Sequence, residues 1–363
     1  MVRSLITSQN RFDHVPVQKG TILKIDFDYE RGEKGDVDKR IAFWSSQNTI
    51  EWFEMHGYTL YTLGDKDSSG WTTVPTLTFA EEVCEGEYPY ATYDGTPAPV
   101  TEFTDTVPLR AYEANGKVVF AQDDQNRHVA IKLVRLGSDE HRILQFLRDQ
   151  PLDTLKENCV LPVLDIQVPF TTRSLWGNSV VLPKHRTIKE VLHMMHDMLK
   201  GLAFLHRHNI IHGDIYSSNS LEDDFRDSYF SLDYGLRTTR RYEGHTRYAI
   251  FDFDLSRQVP QEVNRRDYWI STNSDFAWGT FNVTMDYAQG ELEYNPFITD
   301  VGALGVMFSH QFHYAIPHLP ILAPFFDMLT THKLRQRFTA SEAHAFFEDF
   351  YGDLSEEELE KEL

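Results

Sequence analysis

Apolar positions recur along this chain with two periods, and the period changes near Pro183. Upstream the pattern is short and strand-like. "GYTLYTL" (57–63) alternates and predicts a strand. "KVVFAQDDQNRHVAIKLV" (117–134) places two β-rich runs around a polar turn and predicts a hairpin. "SDEHRILQFLRDQ" (138–150) breaks the strand pattern: Ser138 can cap a helix, and Ile143, Leu144 and Leu147 recur at helical spacing. "NCVLPVLDI" and "NSVVLPK" predict two further short strands. Downstream of Pro183, "TIKEVLHMMHDMLKGLAFLHRH" (187–208) carries the stripe of a long amphipathic helix. "DVGALGVMFSHQF" and "ASEAHAFFEDF" predict buried helices. The pattern therefore predicts an α+β chain with a small β-rich lobe at 106–183 and a larger helical lobe at 184–352.

The two ends follow no such pattern. Residues 1–105 are mixed, with aromatic clusters such as "IAFWSSQNTIEWF", and are expected to form an N-terminal extension packed on the small lobe. "GTPAPVTEFTDTVP" is rich in Pro and Thr and predicts a linker, which sets a boundary near residue 105. "GDLSEEELEKEL" predicts an acidic helix or tail, solvated, over 353–363.

Composition narrows the classes of function. The chain has 363 residues, 41% of them hydrophobic, enough for a substantial core. A formal charge of −20 disfavours generic nucleic-acid or anionic-membrane binding, which needs basic patches. Two cysteines, Cys84 and Cys159, make no disulfide framework and point to a reduced compartment, cytoplasmic or nuclear. No run suits a signal peptide or a membrane span.

The chemistry sits in "IIHGDIYSSNSL" (210–221), which reads H-x-D-x-x-x-x-N, an order that suggests phosphoryl transfer. Other polar residues stand around it in a fixed order: Lys132 in "HVAIKLV", Glu140 in "DEHRILQFL", an Asp after an apolar strand in "YAIFDFDLS", Asp300 in "TDVGALG" and Arg337 in "QRFTASEAHAF". In this order the motifs resemble the protein-kinase superfamily over residues 107–348. The phrases look closest to the divergent kinase-like proteins of mushroom-forming fungi.

The resemblance implies a bilobal kinase-like fold and a role for each residue. Lys132 would hold ATP phosphates and Glu140 would hold Lys132. Asp214 would accept or orient the acceptor hydroxyl. Asn219 and Asp252 would hold Mg²⁺. Gly116 would belong to the phosphate loop, and Val118, Ala130 and Leu221 would enclose the adenine. His212 would be a packing residue, in a spine with Phe253, Leu144 and Leu164. Asp300 would bond the catalytic-loop backbone. Arg337 would pair with Glu291 or Glu293. Asp233, in "YFSLDYGL", is the rival to Asp252 and lies nearer to Asn219; the better buried strand before Asp252 favours the latter.

Several positions depart from that family. "AYEANGKV" keeps only Gly116 of the glycine-rich loop, with Ala111 and Glu113 in glycine positions. Gly213 replaces the Arg that reads an activation-loop phosphate, Tyr216 and Ser218 stand where a cation is usual, and Asp254 replaces a Gly. The expected function is an ATP- and Mg²⁺-dependent kinase acting on Ser/Thr hydroxyls of a protein substrate. The alternatives are a pseudokinase scaffold or a small-molecule phosphotransferase; a long ordered segment over 252 to about 295 would favour protein substrates and a collapsed one small acceptors. His193 and His196, at i,i+3 spacing in "HMMH", read as surface or packing residues rather than metal ligands.

Overall fold

The computed structural model describes residues 23–27, 36–67, 70–77, 87–94, 111–113, 115–167, 169–177, 180–226, 235–274, 284, 286 and 290–363. The chain is mixed α+β. Its first half runs α1 (Val37–Trp44), α2 (Gln47–Met55), β1 (Tyr58–Leu60), β2 (Thr62–Asp67), β3 (Gly70–Val74), β4 (Thr92–Asp94), β5 (Ala111–Glu113), β6 (Val118–Asp123), β7 (His128–Leu133), α3 (Asp139–Arg148), α4 (Leu152–Glu157), β8 (Val163–Gln167) and β9 (Phe170–Ser174). The second half runs α5 (Ile188–Arg207), β10 (Ile210–Ile211), β11 (Ser220–Glu222), β12 (Asp224–Arg226), α6 (Gly235–Tyr242), β13 (Tyr248–Ile250), β14 (Arg257–Gln258), β15 (Ile270–Ser271), β16 (Glu293–Tyr294), α7 (Pro296–Phe312), α8 (Leu322–Thr330), α9 (Ala340–Gly352) and α10 (Glu356–Leu359).

Five antiparallel strands form the main sheet in the order β1-β6-β7-β9-β8. The expected β6–β7 hairpin forms, with Lys132 opposite Val118. The expected strand "NSVVLPK" does not. Residues 180–183 form no strand, and Val180 inserts into the helical core. The fourth partner is instead "FTTRS" (β9), whose Phe170, Thr172 and Ser174 face one side while Thr171 and Arg173 face the other.

The boundary near residue 105 separates no packing unit among the described residues. Strand β1 holds the sheet edge beside β6, with Leu60 opposite Ala121. Trp44, Trp52 and Phe53 from α1 and α2 share one apolar cluster with Val119, Val129, Ile131 and Phe170 of the sheet. Strand β5, read as part of the glycine-loop hairpin, pairs with β3 instead. The predicted linker and Cys84 lie outside the described residues.

The helical part packs around α5, with fully buried Leu192, Met195, Leu199 and Leu202 against α7, α8 and α9. The acidic tail is docked, contrary to expectation. Leu359 is buried, Ile188 N–H donates to the Lys361 carbonyl, and Leu363 N–H donates to the Arg186 carbonyl. The first of these bonds satisfies an N–H that the start of α5 would otherwise leave open. Among the described residues no helix is long and apolar enough to cross a membrane.

Candidate functional site

Strand alternation decides what the sheet offers. Val129, Ile131 and Leu133 enter the aromatic layer, so Ala130 and Lys132 face the opposite way. Register places Val118 and Thr171 beside Lys132, and Phe120 and Arg173 beside Ala130. Helix α3 starts close to the end of β7 because the turn at Arg135–Ser138 is closed by a backbone bond and Ser138 then caps the helix by accepting from His141 N–H. That short connection brings Glu140, in the first turn, to Lys132. Lys132 Nζ donates to Glu140 Oε1 at 2.6 Å and to Asp252 Oδ1 at 2.5 Å.

Asp252 follows β13 with φ +70°, a left-handed conformation unusual for a residue with a Cβ. Such backbone costs on the order of 1–3 kcal/mol and persists where its surroundings hold it. Strand β13 pairs with β11, so Ile250 lies opposite Ser220, and Phe251 N–H donates to the Asn219 carbonyl. This brings Asn219 beside the segment that carries Asp252. Asn219 Nδ2 donates to the Asp214 carbonyl at 2.8 Å and to Asp214 Oδ2 at 2.9 Å. Asp233 lies outside the described residues; Asp252 is the aspartate that meets Lys132.

The loop carrying Asp214 is held from beneath. Asp300, buried in α7, accepts from the backbone N–H of His212 at 2.7 Å and of Gly213 at 2.9 Å, and from His206 Nε2 at 3.1 Å. His212 Nε2 donates to the Phe251 carbonyl while Nδ1 accepts from Asp214 N–H, which fixes its tautomer. A ring so engaged is a strut between two loops. Phe253 stands edge-on to it at 5.5 Å and packs with Leu144, Val163 and Ile210. Leu164, expected beside Phe253, packs into the aromatic layer on the sheet's other face, and its neighbour Val163 packs with Phe253 instead. Adjacent strand residues point to opposite faces, so an error of one position moves a side chain across the sheet.

The remaining expected positions are placed as follows. Leu221 is buried in a cluster with Tyr61, Leu161 and Trp176, edged by Phe120 and Phe251. Gly116 lies in a tight turn at φ +70° beneath α1. Arg40 Nε donates to the Asn115 carbonyl and Trp44 Nε1 to the Gly116 carbonyl. A Cβ on Gly116 would come within 2.9 Å of Arg40 Cβ, so the turn is packed against the helix. Arg337 pairs with Asp286, at 2.7 and 3.0 Å, and neither expected partner: Glu291 and Glu293 are exposed.

Charge is dense here. Burial alone would lower the Lys132 pKa, but Glu140, Asp252 and Asp254 outweigh it and hold the ammonium charged well above its usual range. For Asp252 burial works upward, and Lys132, Arg173 and His212 overcome it to bring the carboxyl down to about 2. Glu140 is raised by burial, which Lys132 only partly offsets. Arg173 was not legible as a site residue. It faces the cleft because it pairs with Ala130, and its guanidinium lies 4.4 Å from the centre of the Phe251 ring. Burial lowers its pKa, and Asp252 and Glu140 oppose that shift.

The arrangement brings an ammonium, a guanidinium and several carboxylates to the mouth of a sheet, with an Asp–Asn pair one strand away. No protein-family model matches this chain, and no curated protein matches it, so the case for a function rests on these side chains.

Proposed function

We propose that the protein is an ATP-dependent phosphotransferase of the protein-kinase type, acting on a Ser or Thr hydroxyl of a protein. The observation that carries this reading is the placement of Lys132 between Glu140 and Asp252, with Asp214 and Asn219 bonded to each other on the adjoining loop. The main sheet with α3 would be the small lobe and the bundle around α5 the large one. Lys132 would place the α- and β-phosphates. Val118, Ala130 and Leu221 would border the base, and the Gly116 turn would lie over the phosphates.

Asp214 would orient the acceptor hydroxyl and take its proton. The hydroxyl oxygen then forms a bond to the γ-phosphorus as the bond to the departing diphosphate breaks. Mg²⁺ suits the donors present, since it prefers oxygen ligands. Asn219 spends its amide nitrogen on Asp214, which turns Oδ1 toward any cation, and Asp252 keeps Oδ2 beside the oxygen bound to Lys132. When bound, the ion supplies charge neutralisation for the phosphates.

A second reading, a pseudokinase scaffold, is favoured by the Gly116 turn. A phosphate clamp needs successive backbone N–H groups turned toward the phosphates, whereas Arg40 and Trp44 hold this turn by its carbonyls against α1. Nucleotide binding to the purified chain, with and without Mg²⁺, separates the readings. The enzyme reading expects Mg²⁺-dependent ATP binding that weakens about tenfold or more in Lys132→Met and in Asp252→Asn, since each removes a charged contact of roughly 1.5–3 kcal/mol. Absence of binding by the intact folded chain would leave the scaffold.

A further inference from the structure

The last long helix, α9, packs against α5. The two backbones are locked by Ala343 and Phe347, both fully buried in the helical core. One face of α9 then carries His344 and Glu348, one turn apart, beside His196 of α5. His196 Nε2 lies 2.8 Å from Glu348 Oε1, and His344 Nε2 lies 3.3 Å from the same oxygen. One ligand atom from each of the three residues falls within 4.8 Å of the others.

We propose that His196, His344 and Glu348 form a zinc site that staples α5 to α9. Two imidazoles and a carboxylate are a donor set for Zn²⁺, with bond lengths of about 2.0–2.2 Å, so that ligand atoms in a tetrahedron sit roughly 3.3 Å apart. Two of the three spacings, 2.8 and 3.3 Å, lie somewhat below or at that separation, and the third lies within 4.8 Å. Glu348 is 46% exposed, which leaves the fourth position open to water.

Two further observations point to a ligand. Nε2 of His344 is buried and, among the described residues, makes no hydrogen bond, its 3.3 Å approach to Glu348 Oε1 being out of hydrogen-bond geometry. Asp197, itself buried, lies 3.3 Å from His196 Nδ1 and so directs Nε2 toward Glu348, the orientation a metal-bound imidazole takes from its outer partner. The charges around the cluster are mixed. Lys200 and Arg207 oppose a cation, and Glu348 and Asp197 offset them. Without metal the same residues make a His196–Glu348 ion pair, and this is the competing account.

The test uses the full chain, stripped with chelator, and titrates Zn²⁺ against a metallochromic indicator and Co²⁺ by visible absorption. The expected result is stoichiometric zinc that raises the melting temperature, with the Co²⁺ bands of a tetrahedral site. Both His344→Ala and Glu348→Gln weaken that binding about tenfold or more and abolish the bands. Glu348→Gln is isosteric and half-exposed, so it keeps the test valid should His344→Ala disturb folding. Zinc affinity and Co²⁺ bands unchanged in both variants would place the ion elsewhere among the 16 histidines and overturn the proposal, as would an intact chain that binds no zinc.

Discussion

His128 opens β7 with its ring edge-on to Tyr61, to whose hydroxyl Nδ1 is hydrogen-bonded, and against Tyr93. Burial brings its pKa down to about 4, against which Asp123 pulls weakly upward. The unfolded chain titrates this group near 6.5. Between those values the unfolded state binds a proton that the folded state refuses. The contribution is therefore fully present above about pH 6.5 and is lost as pH falls toward 4, amounting to about 2 kcal/mol at pH 5. His185, pushed well below its ordinary value by complete burial, acts in the same direction. Urea denaturation at pH 7 and pH 5 measures this: His128→Gln should lose about 2 kcal/mol less over the interval than the intact chain. Equal losses would clear His128 of the effect. Residue chemistry of this kind was partly legible in the sequence. Lys132, Glu140, Asp214, Asn219 and Asp300 stand out as polar residues at set distances inside apolar runs; Lys132 bonds Glu140, Asn219 bonds Asp214, and Asp300 bonds the backbone just before Asp214. Arg173, Asp286 and Glu348 do not stand out, because each gains meaning only from a partner far along the chain: Arg173 from Phe251, Asp286 from Arg337, Glu348 from His196.

Elements were legible where local signals agree. Helix α3 begins at its Ser138 cap, and α5 runs from its Thr187 cap with an unbroken apolar stripe. Strand β9 escaped because three of its five residues are Thr or Arg; register against β7, which composition does not show, makes it a central strand. The same holds for "DVGALG" in α7. It reads as a buried helix, but its two glycines mark close approach: a Cβ on Gly302 would lie 2.2 Å from Arg337 Nη1. Through that gap Arg337 reaches Asp286 bidentately and the carbonyls of Ile298 and Thr331, joining the segment before α9 to α7 and to residue 286. Both partners are essentially without solvent contact, so removing one strands the other's charge. Asp286→Ala should cost about 3–5 kcal/mol in denaturant unfolding, with a fall in midpoint and little change in slope. A loss under 1 kcal/mol would mean that water or another carboxylate reaches Arg337.

At the scale of the whole molecule the boundary near residue 105 marks a change in sequence but not a break in packing. A Pro/Thr-rich stretch is a sound sign of a linker, yet a linker need not separate cores. Trp44, Trp52 and Phe53 lie on the same sheet face as Val119, Ile131 and Phe170, and β1 closes the edge of β6. Burying three such aromatics withdraws on the order of 600 Å², worth roughly 15 kcal/mol at 25 cal/mol per Å² as an upper bound. That matches the about 5–15 kcal/mol by which a whole domain is stable. A chain starting at residue 106 would expose this face and leave β6 with an open edge, both of which promote association. It should be insoluble or bind hydrophobic dyes, and its thermal unfolding should lack a cooperative transition, whereas the full chain melts cooperatively. If the shortened chain instead stayed monomeric and unfolded in one sharp step, the sheet would have a core of its own. The residues before β6 would then be an appendage.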